Sequence, residues 1–213
     1  MDHPFLAEES TSVKIAPALE KILQKLDHSA IHHDYLVAFL ILLLKETGFY
    51  VIENNDSNSG TTELAYIPDN WKTNDTGVYE IMFRYSVLPK IKCKLIAIPS
   101  GDLIILNFFQ LFQNKRVYGM TVQTVRYVNI FSQDLSGKFY GNLKELSHRF
   151  KDTLASPVRS DILIDAGLPG PCLEALPVEL KLLILLILAK QDSLKSIAQC
   201  SLEFSQLCKQ FSV

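Results

Sequence analysis

Val78-Tyr-Glu-Ile-Met-Phe-Arg-Tyr-Ser86, then Ile91-Lys-Cys-Lys-Leu-Ile-Ala-Ile98, the turn Pro99-Ser-Gly-Asp102 and Leu103-Ile-Ile-Leu-Asn-Phe-Phe109 form the stretch that decides the fold. Successive side chains of a strand point to opposite faces of a sheet, and the first of these runs alternates in that way. Pro89 and the Pro-Ser-Gly-Asp cluster break the pattern where turns belong. Connections this short join antiparallel neighbours, because a parallel crossover needs about a dozen residues or more. Residues 116–122 and 126–131 read as two more strands, which predicts an antiparallel, meander-like sheet of about five strands.

Helical periodicity flanks this stretch on both sides. Upstream, Leu19, Ile22, Leu23 and Leu26 recur at helical spacing behind Pro17, which suits a first turn because its missing N–H is not needed there. A second helix is predicted over residues 30–47, with Ser29 as N-cap and Gly48 as terminator. Its centre is apolar nearly all round, so it must be covered on several sides, between the first helix and a sheet. Asn54-Asn-Asp-Ser-Asn-Ser-Gly60 reads as a loop. Downstream, Leu143, Leu146, Phe150 and Leu154 step along one helical face until Pro157 interrupts it, and a short helix is expected over residues 158–165. The class is therefore α+β.

Composition narrows the function classes. Hydrophobic residues make up 48% of the 213 and charged residues 21%, enough apolar material for a packed core. The formal net charge of -2 gives no electrostatic footprint for nucleic acid or anionic lipid, so neither is expected as a partner. The apolar runs at 36–44 and 180–189 are about half of the ~20 residues that span a bilayer, and each is expected as a buried helix. The first residues have no basic flank and no apolar core for a signal peptide, and Cys93, Cys172, Cys200 and Cys208 form no CxxC pair. A cytoplasmic or nuclear chain with reduced thiols is the expectation.

Gly167-Leu-Pro-Gly-Pro171 is the strongest boundary signal in the chain. The predicted organisation is a disordered N-terminus over 1–14, an interaction domain over 15–166, a Gly/Pro-rich join over 167–175 and a helical module over 176–213. In the module, Lys181-Leu-Leu-Ile-Leu-Leu-Ile-Leu188 points apolar side chains in every direction around a helix. A second helix is expected from an Asp192 N-cap with Leu194, Ile197, Ala198 and Leu202 as its stripe, and Phe204, Leu207, Cys208 and Phe211 supply a third. So small a module cannot cover that much apolar surface by itself.

The pattern Leu176-Pro177-x-Glu179-Leu180, Ile184, Leu188, Leu194, Ala198 and Cys200 resembles the F-box, whose helices bind the Skp1 adaptor of cullin-RING ubiquitin ligases. The resemblance implies Skp1 contact at Leu176, Pro177, Leu180, Ile184, Leu188 and Leu194, with Cys200 and Phe204 in or beside the interface. Gln199 stands where F-boxes carry an apolar residue, and Phe204 sits near the usual tryptophan, departures that weaken rather than abolish the contact. The order of helix pair, antiparallel strands, helix and proline-rich join resembles the FP domain family of F-box-only and proteasome-regulating proteins. Phe150-Lys-Asp-Thr-Leu-Ala-Ser-Pro157, Gly167-Leu-Pro169 and Leu176-Pro-Val-Glu-Leu-Lys181 carry that likeness, and the nutcracker type of insects is the subgroup it resembles most.

The family implies a non-catalytic adaptor of a Skp1-cullin-F-box ubiquitin ligase. Its FP domain pairs with itself or with an FP-domain proteasome regulator through a sheet or helix surface. Edge strands are templates for such pairing, and residues 78–86 or 126–131 are the candidates. The rival expectation is a scaffold of proteasome regulation with a degenerate F-box.

Catalytic and metal chemistry fare poorly. His28 and His32 stand four apart without a third ligand nearby, and capping or solvated roles suit them better than a metal. Asp56, Asn58 and Gly60 lack EF-hand spacing. No Gly-rich phosphate loop, GxSxG elbow or HExxH helix occurs. Cys93 lies within an alternating strand, where a structural role is expected. Lys90, Lys92, Lys94 and Arg84 read as a solvated sheet face. No cofactor and no metal are expected, and an enzyme would need a deep pocket with convergent polar groups.

Overall fold

The computed structural model describes residues 6–11, 14–27, 29–52, 66–111, 116–129, 140–168, 170, 173, 176, 178–189, 194–199 and 202–209. Within them the chain divides into two compact units, Met1–Ile162 and Leu163–Val213.

The first unit is built on a five-stranded antiparallel sheet in the order β1-β2-β3-β4-β5, with β1 Phe49–Val51, β2 Tyr79–Tyr85, β3 Leu88–Ser100, β4 Leu103–Gln110 and β5 Val117–Gln123. The class is α+β, and four of its strands lie where the alternating runs predict them. The fifth does not. β1 follows Gly48 directly, whereas the strand expected at 126–131 is replaced, in its described part, by a 3-10 turn at Thr124–Arg126 and one isolated bridge from Val128 to Tyr140. The cause is Thr124, whose N–H is held by the Asp102 carbonyl at 2.8 Å and whose hydroxyl is held by His33, so the chain turns away from the sheet edge.

Alternation fixes the two faces of the sheet. Tyr79, Ile81, Phe83, Tyr85, Cys93, Leu95, Ala97, Ile104, Leu106, Phe108 and Val122 are buried on the inner one. Phe49 meets Phe108 edge to face at 5.1 Å, and Phe83 meets the same ring at 6.0 Å, the geometry that the ring quadrupole favours. Burying each such ring contributes about 2–3 kcal/mol.

α1 Pro17–Leu23 and α2 His32–Glu46 supply the helical layer, and α2 is buried from Leu36 to Leu44. Its N-terminus is not capped from Ser29 as predicted. Asp34, at the third helical position, reaches back to accept the Ile31 N–H at 2.6 Å, so the helix starts two residues later. Gly48 ends it as expected, at φ +93, a conformation glycine adopts without a Cβ clash. α3 Leu143–Phe150 does not stop at Pro157. A π-helical turn, Lys151–Ala155, passes directly into α4 Ser156–Asp165. The wider turn accommodates the proline ring and its missing N–H without ending the helix. The boundary between the two units falls within α4.

The second unit, described by itself, contains α5 Val178–Ala189, α6 Leu194–Ala198 and α7 Leu202–Lys209. Leu202 therefore opens the third helix instead of closing the stripe of the second. A small core of Leu185, Phe204, Leu207 and Cys208, flanked by Leu182, Ile197 and Ala198, joins the three. The loop expected at 54–60, the calcium-like residues in it, His28 and Asp192 all lie outside the described residues.

Candidate partner-binding surface

α5 is twelve residues long, and its sequence is apolar at ten positions, Glu179 and Lys181 being the exceptions. Its own unit uses one side of it: Leu185 is fully buried and Leu182 packs beside it. The other side remains in water, with Leu180 46%, Leu183 54%, Leu186 50% and Ile187 54% exposed. Leaving a leucine in water forgoes about 1.5–3 kcal/mol of burial, so a continuous row of them is a surface shaped to be covered.

The residues singled out from sequence fall into four groups. Leu180, exposed, and Ile184 and Leu188, half-buried, share one side of α5. Leu176 is half-buried just ahead of the helix. Phe204 is 2% exposed and belongs to the small core, under the helices rather than on them. Leu194 opens α6 without a described side chain, and Pro177 and Cys200 lie outside the described residues. Sequence reading passed over Leu183, Leu186 and Ile187. The signal was present in the all-round apolar run, but periodicity alone does not say which side of such a helix its own core uses.

A second open surface lies on the first unit. The outer face of the sheet carries exposed Ile98, Leu103, Ile105 and Val117, with Ile105 standing between Ile98 on β3 and Thr121 on β5. Val117 stands at the other end of that face from Ile98, Leu103 and Ile105, in the register row of Phe109 and Lys94, and Lys94 pairs there with Glu80 at 2.7 Å. The edge assignment made from sequence needs correction: β2 pairs with β1 on one side and β3 on the other, so residues 78–86 are interior. Among the described residues the edge strands are β1, only three residues long, and β5, seven residues with no charge and no proline.

Reactive groups are committed elsewhere. Burial pushes the Cys93 thiol up to about 12, which removes the thiolate that nucleophilic chemistry needs. A cleft of about 510 Å³, lined among others by Lys25, Tyr66, Trp71 and Lys72, reaches down to Asp34. That carboxylate already accepts from the Ile31 N–H, the Tyr79 hydroxyl at 2.7 Å and the Lys72 ammonium at 2.9 Å. It is a structural anchor for α2. Among the described residues no group of three or more His, Cys, Asp or Glu could hold a metal ion, and no helix is long and apolar enough to cross a membrane.

No family model matches the chain. Among curated proteins it is similar to F-box only protein 7 of Homo sapiens, 27% identical over 201 residues, and to F-box only protein 7 of Rattus norvegicus, 28% identical over 201 residues. Each match covers 92% of this chain and 37% of the relative, so the chain spans little more than a third of the length of the proteins it matches.

Proposed function

We propose that this chain is a non-catalytic adaptor subunit of a Skp1-cullin-F-box ubiquitin ligase. In this reading α5, α6 and α7 act as the F-box. Leu176, Pro177, Leu180, Ile184, Leu188 and Leu194 meet Skp1, and through it a cullin, with Cys200 and Phe204 supporting the contact. The observation that carries the reading is the row of exposed apolar side chains on α5, in a chain similar over 92% of its length to proteins named for an F-box. Binding is mainly hydrophobic, and the protein contributes recognition instead of chemistry.

The sheet unit acts in the same reading as an FP-type interaction domain that pairs with itself or with an FP-domain proteasome regulator. The uncharged β5 edge, which carries exposed Val117 and runs beside exposed Ile105, suits strand addition, because among the described residues no strand pairs with its outer side and it lacks the lysines that usually block an edge. The placement with the nutcracker type, the domain limits 15–166 and 176–213, and a cytoplasmic or nuclear location belong to the same proposal.

Titration of purified Skp1 against the chain tests it. Ile184→Ala or Leu188→Ala should cost about 2 kcal/mol of binding if these are anchors in a desolvated interface. Unchanged affinity in both variants contradicts the assignment. Exposed Gln199, polar where an F-box is apolar, favours one alternative: a scaffold of proteasome regulation whose F-box no longer binds. Normal binding of an FP partner by a folded chain that forms no Skp1 complex would select that alternative.

A further inference from the structure

The 3-10 turn Ala7–Glu9 packs against α2 and α3 and is held by bonds of two kinds. Within the turn, the Glu9 N–H donates to the Leu6 carbonyl and the Ser10 N–H to the Ala7 carbonyl, both at 3.1 Å, while the Glu9 carboxylate accepts the Leu6 N–H at 2.8 Å. These bonds are local, so the turn carries its own shape. Its ties to the helices run through Ala7 and Glu8. The Ala7 N–H donates to Glu46 Oε1, at the end of α2, at 2.8 Å, and Ala7 itself is 1% exposed. The Glu8 carboxylate accepts from the Ser147 hydroxyl on α3 and from Lys151 Nζ at 2.7 Å, and the same ammonium lies 3.5 Å from Glu46.

Each contact asks something definite of an occupant. Full burial of Ala7 excludes a larger side chain there, Glu46 asks for a main-chain N–H, and Lys151 with Ser147 asks for a carboxylate on the next residue. Glu9 is exposed, and its carboxylate serves the turn itself. One buried methyl is little apolar surface, and ion pairs that water still reaches are weak. The turn therefore belongs to the low-stability end of the unit and can leave without the sheet unfolding.

We propose that the groove between the ends of α2 and α3 is a docking site for acidic peptides, filled by the chain's own turn until a partner protein's segment of the same chemistry, a small residue followed by glutamate, displaces it. Charge complementarity carries the assignment. Lys151 stands between two carboxylates, one from the groove and one from its occupant, and a lifted turn leaves that ammonium and the buried Ser147 hydroxyl asking for an anion. The site lies in the first unit and does not rest on the adaptor reading.

The test is an NMR titration of the full chain with the acetylated and amidated peptide Leu6-Ala-Glu-Glu-Ser-Thr11. In the wild-type chain the tethered turn competes at a roughly millimolar effective concentration. Glu8→Lys removes that competitor and leaves the groove intact, so the variant should bind the peptide about tenfold or more tightly than the wild type, with shifts at Glu46, Ser147 and Lys151. The peptide carrying Glu8→Lys or Ala7→Leu should not bind. A folded Glu8→Lys chain that ignores the peptide overturns the proposal. So does a variant that fails to fold, because the turn is then part of the core. Hydrogen exchange of the wild-type chain gives a second readout: the Ala7 amide should exchange about a hundredfold or more faster than those of residues 36–44, and equal protection overturns the proposal too. Wild-type chain that displaces the peptide by donating its own turn would name a second copy as occupant and overturn the choice of a separate partner.

Discussion

The Thr124 hydroxyl donates a 2.8 Å hydrogen bond to Nδ1 of His33, a residue 91 positions away. The direction follows from the other ring nitrogen: Nε2 lies 2.9 Å from the Gly101 carbonyl, which can only accept, so the neutral ring carries its proton there. One imidazole thus ties the start of α2 to the β3–β4 turn and to the end of β5. This triple tie explains why the chain leaves the sheet at residue 124.

Burial lowers the His33 pKa, with the neighbouring His32 acting in the same direction against Asp34 and the Gly101 carbonyl. A histidine whose folded pKa is below its unfolded value favours the fold when neutral. Its contribution is complete above about pH 6.5 and is lost as the pH falls through that value toward the lower folded one. Urea denaturation at pH 7.5 and 5.5 should show lower stability at the acid pH, and His33→Gln should flatten the difference. Thr124→Val, which leaves the buried Nδ1 without a donor, should cost about 1–3 kcal/mol at neutral pH.

Glu8 makes a similar tie at the N-terminal end of the described chain. Its carboxylate accepts from the Ser147 hydroxyl and from Lys151 at 2.7 Å, while Lys151 also lies 3.5 Å from Glu46. Burial alone would raise the Glu8 pKa, but the bonds from Lys151 and Ser147 outweigh it and hold the carboxyl below its ordinary value. Its contribution is complete above the unfolded pKa and is lost as the pH falls from there through the lower folded one. Glu8→Gln should therefore destabilise by about 1–2 kcal/mol at pH 7 and by less at pH 3, measured by denaturant unfolding.

Much of the fold was legible in residues 78–123, because period-two alternation reports faces directly. The errors came where a local signal met a distant contact. Ser29 looked like a cap until Asp34 supplied one from inside the helix. Residues 126–131 looked like a strand because their composition fits one, and nothing in that segment announces that His33 will hold Thr124. β1 escaped notice because three residues behind a glycine are too few to display a period. For the partner surface, composition revealed the surplus of apolar side chains on α5, while the division between its covered and open sides needed the positions of α6 and α7.

Gly48 offers a test of the backbone argument. A Cβ built there meets Ser86 Oγ at 3.1 Å and Tyr85 Cε2 at 3.2 Å, at a positive φ that L residues avoid. Gly48→Ala should cost about 1–2 kcal/mol, read as a shift in the unfolding midpoint with unchanged cooperativity.

Cys93 should resist thiol reagents in the folded protein. Burial keeps it protonated, and its place in β3 opposite Gln110 denies access. Mass-spectrometric mapping after brief alkylation should find Cys93 unmodified in buffer and modified in denaturant. Rapid modification in buffer would mean that the sheet opens there.

The central claim is that α5 presents a surface made for a partner, and co-expression of the chain with Skp1 followed by size-exclusion chromatography with light scattering tests it most directly. The account predicts a stable one-to-one complex of the two chains. A folded, soluble chain eluting apart from Skp1 would contradict it.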